Sequence, residues 1–178
     1  MMKSGSKNKE KTASGRNLVL IGMPGVGKST QGRLAAEMLG REFVSLDREI
    51  VKEAGRSIPE IFRTEGEEAF RDLESGICRR IAGRRGIVIA AGGGTVLRAE
   101  NVARLKETGV LILLERPVSE LVPTPDRPTA DTREKIERLY RERKEIYREA
   151  ADATVELSGD PAENAGRIVE AFRTAAAG

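Results

Sequence analysis

The segment from Gly22 to Ser29 constrains the fold more than any other, because it matches the phosphate-binding pattern G-x-x-x-x-G-K-[ST] without a mismatch. In this pattern the glycines let backbone N–H groups turn inward around phosphate oxygens, the lysine brings a positive charge to the outer phosphates, and the final hydroxyl can ligate Mg²⁺. A continuous apolar run at 18–21 precedes the loop, and apolar residues at helical spacing follow it as far as Leu39. Because a strand, a glycine loop and a helix N-terminus together form an anion site, the sequence predicts a site for nucleotide phosphates. Its predicted residues are Gly25, Val26, Gly27, Lys28, Ser29 and Thr30.

The residue composition restricts the chemistry that the chain can perform. With 178 residues it is long enough for one domain with a substantial core. It has no histidine and a single cysteine, Cys78, which excludes an internal disulfide, a cysteine metal cluster and any histidine-dependent catalytic triad. Proton transfer must therefore depend on carboxylates or lysine. No apolar run is long enough to span a membrane and no segment has the features of a secretory signal, so we expect a soluble, cytoplasmic protein.

The positive charge of the chain lies in its N-terminal segment. The formal net charge is +3, but residues 1–16 hold five basic side chains and one acidic one, which leaves 26 basic and 27 acidic side chains in the rest. The Ser/Gly/Lys-rich composition of 1–16 predicts a disordered tail. Such a tail is either a weak polyanion-binding arm or a solvated terminus, and we favour the second. We therefore expect no nucleic-acid partner and no membrane partner.

Five apolar runs predict strands, and helical patterns separate them. Strands that alternate with helices imply βαβ units, so we predict an α/β fold of three layers with a five-stranded parallel sheet. The predicted strands are 18–21, 42–46, 86–91, 109–114 and 153–157. The predicted helices are 28–39, 48–55, 58–82 with breaks near Gly55 and Gly66, 98–107, 131–150 and 160–176. The segment 116–130 has four prolines and few apolar residues, which is typical of a lid or binding loop.

Three polar segments follow the first three predicted strands. Ligands of open parallel sheets bind at the carboxyl ends of the strands. The phosphate loop follows the first strand, Asp47 the second and Gly92–Gly94 the third. Asp47 can accept the proton of an acceptor hydroxyl during phosphoryl transfer, or it can cap the helix that begins near Arg48. The three glycines can form an anion nest or approach a ligand closely, or they are a flexible turn.

Three arginines are candidates for binding an anion. Arg71 lies on a predicted helix beside acidic residues, so it is either part of a helix ion pair or a ligand-binding group. Arg143 interrupts the apolar stripe of its helix, and a buried guanidinium must be paired internally or bind a carboxylate or phosphate. Arg127 lies in the proline-rich loop, where it is either solvated or closes on a transferring phosphoryl group.

In this order the residues resemble those of the shikimate kinase family, from about residue 17 to residue 172. The segments that carry the resemblance are the phosphate loop, Asp47–Ile50, Gly55–Phe62, Gly66–Glu74, the triple glycine, Arg127-Pro128, and Arg143 with Tyr147 four residues later. The resemblance implies a nucleoside-monophosphate-kinase-like domain over 17–178, with a substrate-binding helical section at about 48–82 and a lid at about 116–130. The implied activity is the ATP-dependent phosphorylation of shikimate to shikimate 3-phosphate, a step of aromatic amino-acid biosynthesis.

The resemblance also implies a role for each candidate residue. Asp47 would be the base and would contact the shikimate hydroxyl, while Lys28 and Arg127 would stabilise the transferred phosphoryl group. Shikimate would also be bound by Arg71, Arg143 and the Gly92, Gly93 and Gly94 backbone, with Phe62, Phe70 and Glu74 supporting the pocket. Ser29 would hold Mg²⁺, so that the implied cofactors are ATP and Mg²⁺. The expected partners are these small molecules alone, and we expect a monomer.

The chain departs from the family pattern at two places. The family has an aspartate that helps to hold Mg²⁺ where this chain has Ser45, and the lid is shorter, with no clear counterpart of the arginine that covers adenine. We therefore expect an active kinase that binds ATP weakly. Two alternatives are a kinase of another small hydroxy acid and a nucleotide-binding homologue without kinase activity.

Overall fold

The computed structural model describes residues 15–178, and most of the predicted tail lies outside these residues. Arg16 lies within them and contacts the folded domain, because its Nη2 donates to the carbonyl oxygen of Gly109 at 2.6 Å. Its own carbonyl oxygen accepts a hydrogen bond from Arg41 Nη1. The folded domain therefore includes Arg16, one residue before the predicted boundary at 17.

A five-stranded sheet forms the centre of the domain, and all of its pairings are parallel, as predicted. The strand order is β2-β3-β1-β4-β5. The strands are β1 (Asn17–Ile21), β2 (Phe43–Ser45), β3 (Val88–Ala90), β4 (Gly109–Glu115) and β5 (Ala153–Glu156). Every residue of the central strand β1 is buried, which explains why its sequence is a continuous apolar run.

Seven α-helices cover both faces of the sheet among the residues described. They are α1 (Lys28–Leu39), α2 (Leu46–Ala54), α3 (Ile58–Glu65), α4 (Glu67–Ala82), α5 (Ala99–Thr108), α6 (Arg133–Ala150) and α7 (Pro161–Ala177). The predicted breaks are confirmed, since α2 ends before Gly55 with a φ of 64° and α3 ends before Gly66 with a φ of 87°. A positive φ is inexpensive only for glycine, so both turns depend on this residue type.

The fold places three loops at one edge of the sheet. The phosphate loop joins β1 to α1, α2 begins directly after β2, and the triple glycine follows β3. Because β2, β3 and β1 are neighbours, the three loops lie side by side. Within the described part of the chain, no helix has the length and apolar character needed to cross a bilayer.

Asn17 is a fully buried polar residue at the start of β1, and it joins the segments that enter β3 and β4, the two strands beside β1. Its Nδ2 donates to the carbonyl oxygen of Arg84 at 2.8 Å and to Thr108 Oγ1 at 3.3 Å. Its Oδ1 accepts from the backbone N–H of Ile87 at 3.0 Å. A buried amide is stable in a core only when its donors and acceptors are paired. The three hydrogen bonds pair both the Nδ2 and the Oδ1 of Asn17.

We expect Asn17→Ala to destabilise the domain by about 2–3 kcal/mol, because it leaves buried partners of Asn17 without a hydrogen bond. Urea unfolding followed by circular dichroism measures this change. The control is Glu37→Ala on the exposed face of α1, which should change the free energy of unfolding by less than about 0.5 kcal/mol. Equal stability of the two variants would contradict the role assigned to Asn17.

Candidate active site

A crevice of about 340 Å³ opens at the carboxyl ends of β1, β2 and β3. Nearly all the predicted site residues line it, together with the lid. These are Gly25, Gly27, Lys28, Ser29, Thr30, Asp47, Arg71, Gly93, Gly94, Arg127 and Arg143. Two predicted residues do not line it: Val26 lines a second cavity, and Gly92 lies behind the carboxylates that face the crevice. The three separate sequence signals thus converge on one space.

The phosphate loop has the conformation expected of an anion site. Gly25 and Gly27 have φ angles of 82° and 114°, which other residue types adopt only with strain. Helix α1 begins at Lys28, and no side chain caps its first turn. Its first N–H groups are therefore available for an anion, which the helix dipole also favours.

The Lys28 ammonium lies inside the loop, where Nζ donates to the carbonyl oxygens of Gly22 at 2.7 Å and Met23 at 2.8 Å. Burial lowers the pKa of Lys28 from 10.5 to about 7. The nearby carboxylate of Asp47 opposes this change, whereas the Arg127 and Arg143 guanidinium groups add to it. A phosphate in the loop would stabilise the charged ammonium and raise this pKa again.

Asp47 lies in the first turn of α2 with its carboxylate at the crevice. The helix is capped by Ser45, whose Oγ accepts from the backbone N–H of Arg48 at 3.3 Å, so the alternative that Asp47 is the N-cap is wrong. Part of Asp47 is exposed at the crevice, while protein atoms surround its carboxylate on most sides. Burial of the carboxylate raises the pKa of Asp47, while the charges of Lys28 and Arg127 oppose the rise.

Gly92–Gly94 is glycine because charged side chains and the phosphate loop approach its backbone closely. A Cβ at Gly92 would lie 2.8 Å from both Asp47 Oδ1 and Glu74 Oε2, and one at Gly93 would lie 2.6 Å from the Pro24 ring. At Gly94 a Cβ would overlap the Arg71 guanidinium. Close approach by side chains of the protein itself therefore accounts for the three glycines, while the predicted anion nest or close approach to a ligand stays a prediction. Their N–H groups donate to no other residue in the range 15–178, and Gly93 and Gly94 line the crevice, where a ligand could accept from them.

Arg71 is 8% exposed, and its two predicted roles, an ion pair within the helix and ligand binding, do not exclude each other. It is part of a helix ion pair, since Nη1 lies 2.8 Å from Glu74 Oε1 and Nη2 lies 3.5 Å from Glu67 Oε1. It also lines the crevice, and its buried Nε has no hydrogen-bond partner in the structure. An unpaired buried N–H is costly, so a ligand that accepts from this guanidinium would bind favourably.

Glu74 fixes the position of Arg71. It is 1% exposed, and its second oxygen accepts from the Thr95 hydroxyl at 3.0 Å. Burial raises the pKa of Glu74, whereas the Arg71 charge and the two hydrogen bonds lower it. The resemblance indicated Glu74, but the Thr95 hydroxyl has no signal in the sequence, because nothing there shows that the turn after the triple glycine folds back onto α4.

Arg143 is 4% exposed and reaches the crevice from α6. Within the described residues it forms no ion pair, and the Tyr147 hydroxyl, one turn later, lies close to it. The predicted alternative of an internal salt bridge is therefore wrong for this part of the chain. A buried guanidinium without a carboxylate partner is suited to binding an anionic ligand.

The lid lies directly over the phosphate loop. The backbone oxygen of Val122 would be 3.5 Å from a Cβ at Gly25, and Arg127 Nη1 would be 3.4 Å from it. Arg127 Nη1 also donates to Thr124 Oγ1 at 3.1 Å, which holds it at the crevice. Sequence reasoning missed Thr124 and Asp126, which also line the crevice, because polar residues in an irregular loop have no periodicity that indicates their direction.

Comparisons of the sequence and of the fold with known proteins all find similarity to shikimate kinases. The family model described as shikimate kinase matches residues 24–173. The shikimate kinase of Clostridium beijerinckii is 45% identical over 142 residues, covering 78% of this chain and 83% of that protein. The one from Methylococcus capsulatus is 41% identical over 165 residues, covering 88% and 92%. A solved structure of shikimate kinase from Acinetobacter baumannii in complex with shikimate has a TM-score of 0.85 and 34% identity, covering 91% of this chain and 95% of that one.

The lowered pKa of Lys28 predicts that nucleotide binding takes up a proton. At pH 8 the free ammonium is largely neutral because its pKa is about 7, and bound phosphates favour the charged form. Calorimetric titration of Mg²⁺-saturated ATP at pH 8, in buffers of different ionisation enthalpy, should show uptake of roughly one proton, and much less at pH 6.

Lys28→Arg is the matched control, because a guanidinium stays charged at both pH values. This variant should lack the uptake at pH 8. Equal proton uptake by Lys28→Arg and the wild type would show that another group is responsible.

Proposed function

This chain belongs to the shikimate kinase family, and we propose that it transfers the γ-phosphoryl group of ATP to the 3-hydroxyl of shikimate in the crevice described above. It is a small-molecule kinase with a nucleoside-monophosphate-kinase-like fold and acts in aromatic amino-acid biosynthesis. The observation that carries the assignment of roles is the convergence of the phosphate loop, Asp47 and two buried arginines on one space.

The phosphates of ATP bind in the loop between β1 and α1. Backbone N–H groups of this loop and of the first turn of α1 point at the phosphate oxygens, and the helix dipole adds to the attraction. Lys28 exchanges its two loop carbonyl acceptors for phosphate oxygens and is then fully charged. Arg127, which the lid holds over Gly25, adds a second charge at the transferring group.

The residues present fit a Mg²⁺ ion that is bound mostly by the nucleotide. No group of three or more His, Cys, Asp or Glu residues in the range 15–178 could hold a metal by itself. Mg²⁺ typically keeps several waters and takes one or two protein ligands beside the phosphates, for which the Ser29 hydroxyl at the crevice is suitable. When bound, the ion neutralises charge on the β- and γ-phosphates. Ser45 caps α2, and its hydroxyl is therefore already engaged.

The carboxylate of shikimate binds to Arg71 and Arg143. Guanidinium groups match a carboxylate in geometry as well as charge, and each can donate two parallel hydrogen bonds. Glu74 holds Arg71 in place before the substrate arrives, so that little conformational entropy is lost on binding. Arg143 has no carboxylate partner in the described structure, which leaves its charge for the substrate.

Asp47 is the general base. The oxygen of the 3-hydroxyl forms a bond to the γ-phosphorus, the bond between this phosphorus and the bridging oxygen breaks, and ADP leaves. The hydroxyl proton passes to the Asp47 carboxylate and from there to solvent. Burial raises the pKa of Asp47, which makes it a stronger base than an ordinary aspartate, and the charges of Lys28 and Arg127 favour its ionised form.

We also propose that the protein acts as a monomer in the cytoplasm, where ATP is available, and that ATP and shikimate are its only partners. Sedimentation velocity at micromolar concentration should give a single species of the mass of one chain.

The proposed function is tested by measuring ADP formation from ATP and Mg²⁺ with and without shikimate. We expect ADP release that depends on shikimate and forms an equal amount of shikimate 3-phosphate. Release with a different hydroxy acid but not with shikimate would identify another acceptor. Binding of both substrates without turnover would support a homologue that has lost catalysis.

We expect Asp47→Asn to lower kcat by about 10²- to 10⁴-fold, because it removes the proton acceptor. In the wild type, activity should fall as the pH drops through the raised pKa of Asp47, at a higher pH than the roughly 3.9 of an ordinary aspartate, and the variant should lose this acidic limb. Asp72→Asn, on the exposed side of α4, is the control and should leave kcat within about twofold. An unchanged acidic limb in Asp47→Asn would exclude Asp47 as the base.

Arg71→Lys keeps the charge but loses the fork that binds a carboxylate. We expect the KM for shikimate to rise by about 10- to 100-fold while the KM for ATP changes by less than about twofold, as judged from the energy of hydrogen bonds to charged groups. Arg80→Lys, on the same helix but in surface ion pairs with Glu49 and Glu53, should change neither constant. Equal increases in both KM values would contradict the assignment of Arg71 to the acceptor site.

A further inference from the structure

The Tyr147 hydroxyl lies between two elements that the proposed function assigns to shikimate binding. Tyr147 is 2% exposed and is located on α6, one turn after Arg143. Its hydroxyl donates a hydrogen bond to the backbone carbonyl oxygen of Gly93 in the triple-glycine turn. The same hydroxyl lies close to the Arg143 guanidinium, which opposes the rise that burial causes in the pKa of Tyr147. It therefore joins α6 to the turn after β3 at a point where both reach the crevice.

A tyrosine hydroxyl is chemically suited to this position. It has one donor and two acceptor lone pairs, so it can donate to a carbonyl and accept from a guanidinium at the same time. Phenylalanine has the same ring and can do neither. A buried phenol also requires a hydrogen-bond partner, and Gly93 provides it.

The contact with Gly93 determines the direction of a peptide group. In a trans peptide the carbonyl and the following N–H point in opposite directions. While the Gly93 carbonyl oxygen is directed at Tyr147, the N–H of Gly94 points away from α6, and it donates to no other residue among 15–178. Gly93 is confined on another side by the Pro24 ring, which a Cβ would approach to 2.6 Å, so the peptide has little room to rotate.

We infer that Tyr147 is a positioning residue, whose hydroxyl holds the Arg143 guanidinium and the Gly93–Gly94 peptide in the arrangement that binds the acceptor carboxylate. This inference rests on the proposed function. Tyr147 does not line the crevice, so it acts through these two groups and not by touching the substrate. Substitution of Tyr147 should affect the binding of shikimate and not that of ATP, because Tyr147 makes no hydrogen bond with the phosphate loop, Lys28 or the lid in the structure.

The experiment compares Tyr147→Phe with the wild type in steady-state kinetics for shikimate and for shikimate methyl ester, which lacks the anionic carboxylate. We expect the KM for shikimate to rise by about tenfold, in line with the loss of hydrogen bonds that involve a charged group. The KM for ATP should change by less than about twofold and kcat by less than about threefold. The preference for shikimate over its methyl ester should fall, which a general loss of stability would not produce.

Tyr140→Phe is the matched control, because Tyr140 is the other tyrosine of the chain, lies on the same helix and makes no recorded hydrogen bond among the described residues. This variant should retain the wild-type KM values. Similar changes in both tyrosine variants would overturn the inference.

A double-mutant cycle with Arg143→Lys tests the coupling directly and does not depend on how much stability Tyr147→Phe loses. If Tyr147 acts partly through Arg143, its substitution should raise the KM for shikimate less in the Arg143→Lys background than in the wild type. Additive effects, or an unchanged preference for shikimate over its ester, would overturn the inference while leaving the kinase assignment intact. A wild-type protein that releases no ADP with shikimate would instead contradict the proposed function.

Discussion

The active site depends on a turn without side chains, Gly92–Gly94, around which side chains from four other segments meet. Asp47 and Glu74 face its first residue, Pro24 of the phosphate loop and Tyr147 contact its second, and Arg71 packs against its third. A Cβ at any of the three positions would displace one of these groups. The turn therefore determines how closely the nucleotide and acceptor sides of the crevice can approach each other.

The charges in the crevice are unbalanced when no substrate is bound. Lys28, Arg127 and Arg143 approach one another, and this repulsion together with burial lowers the pKa of Lys28 to about 7. In the proposed function, the phosphates of ATP and the carboxylate of shikimate supply negative charge to these groups. The negative charge of Glu74 does not offset these three positive groups directly, because Glu74 is paired with Arg71.

The sequence was sufficient to predict the sheet, the order of strands and helices, and most of the residues at the crevice, because each depends on local pattern. Glycine spacing identified the phosphate loop, and position after a strand identified Asp47. What could not be predicted depends on the exact start of a helix or on contacts between distant segments. Ser45 rather than Asp47 caps α2, since the helix begins two residues earlier than its apolar pattern indicated. Whether Arg143 is paired depends on which acidic residues lie near α6, and periodicity does not show this.

A crystal structure with shikimate, Mg²⁺ and a non-hydrolysable ATP analogue would test most directly whether both substrates meet beside Asp47. The account predicts the 3-hydroxyl oxygen within about 2.6–3.2 Å of an Asp47 carboxylate oxygen, directed at the γ-phosphorus, with the shikimate carboxylate on Arg71 and Arg143. A shikimate molecule bound with its carboxylate elsewhere, or its 3-hydroxyl out of reach of Asp47 in the closed complex, would contradict it.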